Sequence, residues 1–176
     1  MIAAMLFTAS AHGLVATTRL LRAAAAPGRH ETLSCGPRVR IISPGKTKES
    51  WLEEAIGIYT KRLRSTLELE CVWVKDDAAL LTQAGSVTGG CIALDPLGKS
   101  VTSEQFSELL FSELEAGGSR LSFIIGGAEG LPPELRAKAK LLSLSRMTFT
   151  HQMARLLLAE QVYRAVEIRK GSGYHK

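Results

Sequence analysis

The chain has 176 residues, of which 45% are hydrophobic and 22% are charged, and its formal net charge is +5. This length gives room for one ordinary domain with its own core, and this composition excludes a chain that is disordered throughout. No apolar run reaches the roughly 18 residues that a membrane span needs, so we expect no membrane partner.

The first 30 residues differ from the rest of the chain. They contain no Asp or Glu, nine Ala and three basic residues, Arg19, Arg22 and Arg29. Such a leader is typical of a transit peptide, so we predict a disordered transit peptide at 1–34 and an organellar protein. The Ala, Ser and Thr content with few Arg favours a plastid over a mitochondrion. A secretory signal peptide is one alternative, although no Lys or Arg precedes Arg19, and a plain disordered extension is another.

From residue 35 onward, apolar runs alternate with helical patterns. In the first half we predict a strand at 39–42, a helix capped by Ser50 that ends near Arg64, a strand at 67–74, a short helical or irregular connection at 76–83, a loop at 85–90 and a strand at 91–94. In the second half we predict a helix capped by Ser103 that ends near Leu114, a strand at 121–125, a short helix from Pro132 to Lys140, a strand at 142–145 and a helix at 151–168. Continuous apolar strands that alternate with helices favour an α/β fold at 35–176, with a parallel sheet covered by helices on both faces.

The cysteines and the charges bound the chemistry. Cys35, Cys71 and Cys91 are odd in number and widely spaced, without a CxxC pair, so neither a disulfide framework nor a metal site is expected. Cys71 and Cys91 are predicted to be small buried hydrophobes in strands. From Glu134 to Lys176 there are nine Lys or Arg and three acids. This basic end indicates either a polyanionic partner such as RNA or a solvated helix face.

Three predicted strands end in loops that could form a ligand site, at 94–96, 126–130 and 144–148. In open α/β sheets, ligands bind outside the carboxyl ends of the strands. Gly126 and Gly127 would let the backbone approach a ligand closely, although an ordinary turn is the alternative. Neither GxGxxG after the first strand nor GxxxxGK[ST] is present, which disfavours nicotinamide enzymes and P-loop NTPases.

The final helix carries the second candidate site. His151, Arg155 and Ala159 fall on one face, and Glu160 and Arg164 form an i,i+4 pair on another. On spacing alone, such a pair is more often a surface salt bridge than a catalytic device, and a His at a helix start is more often a cap or packing residue.

Four motifs follow one another along the C-terminal third of the chain. They are IIGGxxGL at 124–131, LSxMTFxHQ at 144–152, EQxYR at 160–164 and YH at 174–175. In this order they resemble the RlmH family of SPOUT-class rRNA pseudouridine N3-methyltransferases, over roughly residues 39–176. The resemblance implies a C-terminal trefoil knot, an exception to the rule against knotted chains, and a homodimer that binds S-adenosyl-L-methionine. The implied substrate is the helix 69 stem-loop of large-subunit rRNA, free or in the assembled ribosome.

The resemblance also implies roles for individual residues. The positions that match its S-adenosylmethionine contacts are Leu94, Gly126, Gly127, Leu144, Ser145, Arg146, Met147, Thr148 and Phe149. The positions that match its catalytic, substrate-facing residues are Glu160, Arg164, Tyr174 and His175. The chain departs from the family at Ala128 and Thr150, and its connection at 76–90 is about twenty residues shorter than usual.

Methyl transfer to an imide nitrogen requires loss of the N–H proton and exclusion of water. Glu160 or His175 could act as the base, and Arg164 could stabilise the anion or hold a phosphate. The alternative from another class is a catalytically silent RNA-binding module with a SPOUT fold. An α/β-hydrolase is disfavoured because no GxSxG motif is present.

Overall fold

The computed structural model describes residues 36–175, so the predicted transit peptide and Cys35 lie outside the described residues, as does Lys176. Strands and helices alternate along this range. In chain order they are β1 Arg38–Pro44, α1 Ser50–Leu63, β2 Glu68–Val74, α2 Asp77–Gly85, β3 Gly90–Ser100, α3 Ser103–Ala116, β4 Arg120–Ile125, α4 Pro133–Lys138, β5 Lys140–Ser143 and α5 His151–Arg169.

The five strands form one sheet in the order β2-β1-β4-β3-β5, and every neighbouring pair is parallel. Helices α1, α3 and α5 cover one face, where the larger apolar core includes Phe123, Leu110 and Leu158. Helices α2 and α4 cover the other face, where Ile124 and Leu80 lie in a smaller core. This architecture confirms the predicted α/β fold with helices on both faces of a parallel sheet.

Two predicted helix caps are wrong by one residue. Helix α3 is capped by Thr102, whose hydroxyl accepts from the backbone N–H of Gln105 at 3.2 Å while the Gln105 side chain accepts from the Thr102 N–H at 3.1 Å. The reason is that a capping box needs Glu or Gln three residues after the cap, and only Thr102 satisfies that spacing. Helix α1 has Glu49 at its cap without a side-chain hydrogen bond, so Ser50 is the first helical residue.

The strands near the candidate ligand site also differ from the prediction. Strand β5 begins at Lys140, two residues earlier than expected, because α4 already ends at Lys138. Strand β3 continues to Ser100: it pairs with β5 up to Leu94 and again from Lys99, with a register shift between them. The segment expected to be a loop therefore bulges out of a strand that later resumes its pairing. Cys71 and Cys91 lie in β2 and β3 as expected, although both are half-buried.

Candidate active site

An open cavity lies between the bulge of β3 and the carboxyl ends of β4 and β5, where the sequence predicts a ligand site. It contains about 680 Å³ of empty space, part of it open to solvent, which is within the size range of small-molecule sites. Eight of the nine residues expected to contact the cofactor line this cavity: Leu94, Gly126, Gly127, Leu144, Ser145, Met147, Thr148 and Phe149. The ninth, Arg146, is exposed and is not among the lining residues.

The two glycines after β4 have different roles. A Cβ atom on Gly126 would lie 2.3 Å from both the carbonyl carbon and oxygen of Gly130, so the tight turn requires glycine there. Gly130 itself has φ +85° and donates its N–H to the Gly127 carbonyl at 3.2 Å. A Cβ atom on Gly127 would meet Pro44 Cγ at 3.3 Å and Asp77 Oδ1 at 3.5 Å, which is tight but leaves room. At Gly126 the close approach is to the chain's own backbone, which explains that glycine without a ligand.

Short-range hydrogen bonds shape the loop between β5 and α5. Ser143 donates its hydroxyl to the Ser145 carbonyl at 2.9 Å, and the Ser145 hydroxyl accepts from the Met147 N–H at 3.0 Å. Thr150 then caps α5 by accepting from the Met153 N–H. These bonds hold the loop in place while the Met147 side chain stays 72% exposed at the cavity. An apolar side chain held in water beside a cavity is available to contact a ligand or a partner.

Asp95 is a lining residue that the sequence prediction did not include. It is almost fully buried, and its carboxylate accepts from Arg136 Nε at 2.8 Å and from the Leu97 N–H at 2.9 Å. This ion pair ties α4 to the bulge of β3. Asp95 thus places a buried carboxylate, balanced by one cation, in the wall of the cavity.

His151 and Ala154, at the start of α5, complete the described wall of the cavity. Burial, followed by the charges of Arg155 and Lys48, lowers the pKa of His151 below its ordinary value. At neutral pH the ring is therefore uncharged, and it does not repel a cationic ligand.

Arg155 is the largest fully buried side chain in the described part of the chain. Its guanidinium donates to the hydroxyls of Ser43 and Thr47 at 3.1 and 3.2 Å and to the carbonyls of Pro44 and Gly45. It also lies over the Trp73 ring, with Cζ 4.2 Å from the centroid, and burial lowers its pKa to about 10. Arg155 fastens the loop after β1 to the first turns of α5. The spacing placed it beside His151, but nothing in the sequence indicated that it would be buried.

The four residues expected to face substrate come together in one cluster, which we call the C-terminal cluster: Glu160, Arg164, Tyr174 and His175. Arg164 donates to Glu160 Oε1 through Nε at 2.9 Å and Nη2 at 2.6 Å. Its Nη1 lies 3.3 Å from His175 Nδ1, and its Cζ lies 4.9 Å from the centre of the Tyr174 ring. Hydrogen bonding to Glu160 raises the pKa of Arg164, which keeps it cationic. The predicted i,i+4 pair is confirmed.

The C-terminal cluster and the cavity are well separated within one chain. His151 lines the cavity, and Arg164 lies 13 residues further along the same helix, which corresponds to roughly 20 Å at 1.5 Å per residue. A second groove, with about 660 Å³ of empty space, is lined by Leu144, which also lines the cavity, and by Gln161, which follows Glu160. Glu160, the member of the cluster nearest to His151, lies nine residues after it, roughly 14 Å along the helix, so cluster and cavity occupy different positions along α5.

The described residues contain neither a metal site nor a membrane span. Within residues 36–175, no group of three or more His, Cys, Asp or Glu side chains is arranged to hold a metal ion. None of the described helices is both long and apolar enough to span a membrane.

Comparison with known proteins identifies the family. A family model described as a predicted SPOUT methyltransferase matches residues 38–175. Two relatives are named ribosomal RNA large subunit methyltransferase H. The one from Protochlamydia amoebophila is 54% identical to this chain, over 79% of this chain and 99% of the relative. The one from Synechococcus sp. is 44% identical, over 79% of this chain and 96% of the relative. The solved structure of a probable methylase family protein from Haemophilus influenzae is 14% identical in sequence, with a TM-score of 0.49. The match covers 78% of this chain and 70% of that protein, and the similarity is too distant to support an argument.

The alignments with these relatives differ in length. The alignment with the protein of the same name from Symbiobacterium thermophilum, 39% identical, spans 160 positions, whereas 79% of 176 residues is about 139. About 20 positions of that alignment therefore have no residue of this chain. The alignment with the P. amoebophila relative spans 141 positions, so that relative is similarly short.

A match over residues 38–175 and relatives covered almost from end to end show that this chain belongs to the SPOUT methyltransferase family.

Proposed function

We propose that this methyltransferase uses S-adenosylmethionine to methylate N3 of a pseudouridine, or of a uridine, in the helix 69 stem-loop of large-subunit rRNA. One observation carries the proposal: eight of the nine residues expected to contact the cofactor surround a single cavity at the carboxyl ends of the strands. The names of the curated relatives, which specify ribosomal RNA of the large subunit, support the substrate class.

The residues around the cavity fit this cofactor. Loop 144–149 and the turn at 126–130 would hold it, since both offer backbone groups and apolar side chains to a ligand. The Asp95 carboxylate is paired with Arg136 and His151 is uncharged at neutral pH, so neither residue repels a cationic ligand in the cavity. When bound, S-adenosylmethionine supplies an electrophilic methyl group on a sulfonium. The chain's own contribution is to position two reactants and to exclude water.

The C-terminal cluster supplies the groups that acceptor activation needs. An imide N–H must lose its proton, and a cation beside the resulting anion stabilises it. Arg164 donates three of its five N–H groups to Glu160 and His175, which leaves two for an imide oxygen or a phosphate. Either Glu160 or His175 would serve as the base, after the substrate displaces one of these hydrogen bonds.

We further propose a homodimer in which the C-terminal cluster of one protomer completes the cavity of its partner. The support is the separation of roughly 20 Å along α5 between His151 and Arg164 within one chain. Exposed apolar side chains are consistent with a covered surface, since Trp51 and Ile58 of α1 are each about half exposed. The measurement is the molar mass in solution by light scattering, and a monomer at working concentrations would contradict the dimer.

A trefoil knot at the C-terminal end also belongs to this proposal. Strand β5 lies outside β3 at the sheet edge, while α5 returns to the face that carries α1 and α3. This position of α5 is consistent with a knot.

One binding assay and one turnover assay separate the proposal from the alternative of a silent RNA-binding module. Calorimetry with S-adenosylmethionine tests the cavity, and transfer of a labelled methyl group to purified large ribosomal subunits tests turnover. Binding of cofactor and RNA without any transfer would favour the silent module. No cofactor binding would remove the cavity from the account.

We propose in addition that the protein is organellar, in a plastid rather than a mitochondrion, and that its leader is removed. The support is the acid-free, Ala-rich composition of residues 1–30. A reporter fused to residues 1–34 should enter the organelle, and the isolated protein should begin near residue 35. A cytosolic reporter or an intact first residue would contradict this.

A further inference from the structure

Glu104 makes a contact to the C-terminal cluster that the motifs did not indicate. It lies in the first turn of α3, 71 residues before His175, and its carboxylate Oε1 is 2.7 Å from His175 Nε2. The side chains of Glu104 and His175 are 57% and 28% exposed. An exposed hydrogen bond of this kind adds little to stability, so the contact calls for another explanation.

The two ring nitrogens of His175 have different partners, and together they define one protonation state. Arg164 can only donate hydrogen bonds, so His175 Nδ1, at 3.3 Å from Nη1, must be unprotonated. The Glu104 carboxylate can only accept, so Nε2 must carry the proton. The arrangement therefore selects the neutral tautomer with the proton on Nε2.

Glu104 is held ready for this role by its position. It follows the Thr102 cap, in the first turn of α3, where a negative charge is favoured by the helix dipole. The hydrogen bond from His175 has the largest effect on the pKa of Glu104, followed by the hydrogen bond from Thr102, and the pKa falls to about 2. The carboxylate is therefore fully ionised at neutral pH. A chain end is usually frayed, and this anion gives residue 175 a fixed partner on another helix.

We infer that Glu104 is a positioning residue of the active site: it selects the tautomer of His175 and holds its unprotonated Nδ1 against Arg164. This inference rests on the proposed function, because it assigns a role to the cluster that would face the substrate. Glu104 acts through His175 and need not touch the substrate itself. Its loss should reduce the fraction of chains whose Arg164 is oriented for the reaction, without changing the distant cavity.

The test compares three variants with the wild type. Glu104→Ala removes the acceptor, whereas Glu104→Gln keeps an amide oxygen that can accept the same hydrogen bond. Glu115→Ala is the matched control, since Glu115 lies on the same helix and forms an exposed ion pair with Arg169 at 3.4 Å. Long-range 1H–15N NMR of the imidazole nitrogens reports the tautomer directly, and a His175→Gln variant assigns the signals.

In the wild type and in Glu104→Gln, we expect His175 to be neutral with the proton on Nε2. In Glu104→Ala, we expect His175 to be a mixture of tautomers. Methyl transfer to ribosomes should have a kcat about tenfold lower in Glu104→Ala, with unchanged affinity for S-adenosylmethionine, and Glu104→Gln should recover most of it. A wild-type His175 that is doubly protonated or carries its proton on Nδ1 would overturn the inference, as would an equal loss in Glu115→Ala. If the wild type transfers no methyl group, the NMR result still decides whether Glu104 sets the tautomer, so the two failures are distinguishable.

Discussion

Alanine at Gly126 should damage the protein far more than alanine at Gly127. The added Cβ at Gly126 would lie 2.3 Å from the backbone of Gly130, whereas ordinary contacts are 3.4–4 Å, so the turn must open by about 1 Å. Overpacking of this kind costs about 1–3 kcal/mol, and the smaller entropy of the unfolded alanine chain offsets about 0.4–1 kcal/mol. We expect Gly126→Ala to lose about 1–2 kcal/mol of unfolding free energy together with most of the cofactor affinity.

Gly127→Ala is the matched control, because it adds the same atom to the neighbouring residue. Its Cβ would meet the Pro44 side chain at 3.3 Å, a contact that a shift of a few tenths of an ångström relieves. We therefore expect its stability to stay within about 1 kcal/mol of the wild type. Denaturant unfolding followed by circular dichroism gives both free energies, and calorimetry with S-adenosylmethionine gives both affinities. If Gly126→Ala matched Gly127→Ala in both measurements, the tight turn that forms the cavity floor would be refuted.

Four further predictions concern Arg155, the two cysteines of the described residues and the shared site. Arg155→Met should lower the free energy of unfolding by about 3 kcal/mol, because it leaves buried carbonyls without donors. Arg155→Lys should lose less. Equal stability of Arg155→Met and the wild type in urea unfolding would contradict this. Burial raises the pKa of Cys71 to about 11 and also raises that of Cys91, so both should react slowly with thiol reagents until the protein unfolds. In the unfolded chain the Cys71 thiol loses its proton near pH 9, whereas in the folded protein it keeps the proton until about pH 11. The free energy of unfolding should therefore fall between about pH 9 and pH 11. Mixing the Arg164→Ala variant with the Thr148→Trp variant, whose added side chain fills the cavity, should restore part of the methyl-transfer activity through heterodimers. If heterodimers form and no activity returns, each protomer carries a complete site.

The fold was predictable from the sequence because its signals are local. The strands are continuous apolar runs, and the helices between them repeat apolar residues at helical spacing, so the existence and type of every long element were predicted correctly. The boundaries were less certain: Ser103 and Thr102 are both good caps, and only the position of Gln105 decides between them.

The parts of the site that the sequence did not reveal depend on contacts between distant residues. Arg155 reads as one more helical cation, and its burial depends on Ser43, 112 residues earlier in the chain. Glu104 reads as an acidic residue at a helix start, and its partner His175 lies 71 residues later. No local pattern encodes either contact, because each exists only when α5 packs against the sheet and against α3. The glycine turn, by contrast, was found from its motif, although the structural reason for Gly126 differs from the one expected.

The central claim is that this chain places a methyl group on one base of large-subunit rRNA. The direct measurement is mass mapping of rRNA fragments after purified large subunits are incubated with the protein and S-adenosylmethionine. We predict one added methyl group on the fragment that contains the helix 69 stem-loop, at N3 of a pseudouridine or uridine, and none when the Arg164→Ala variant is used. Methylation elsewhere, or none on any fragment while the protein binds S-adenosylmethionine, would contradict the account.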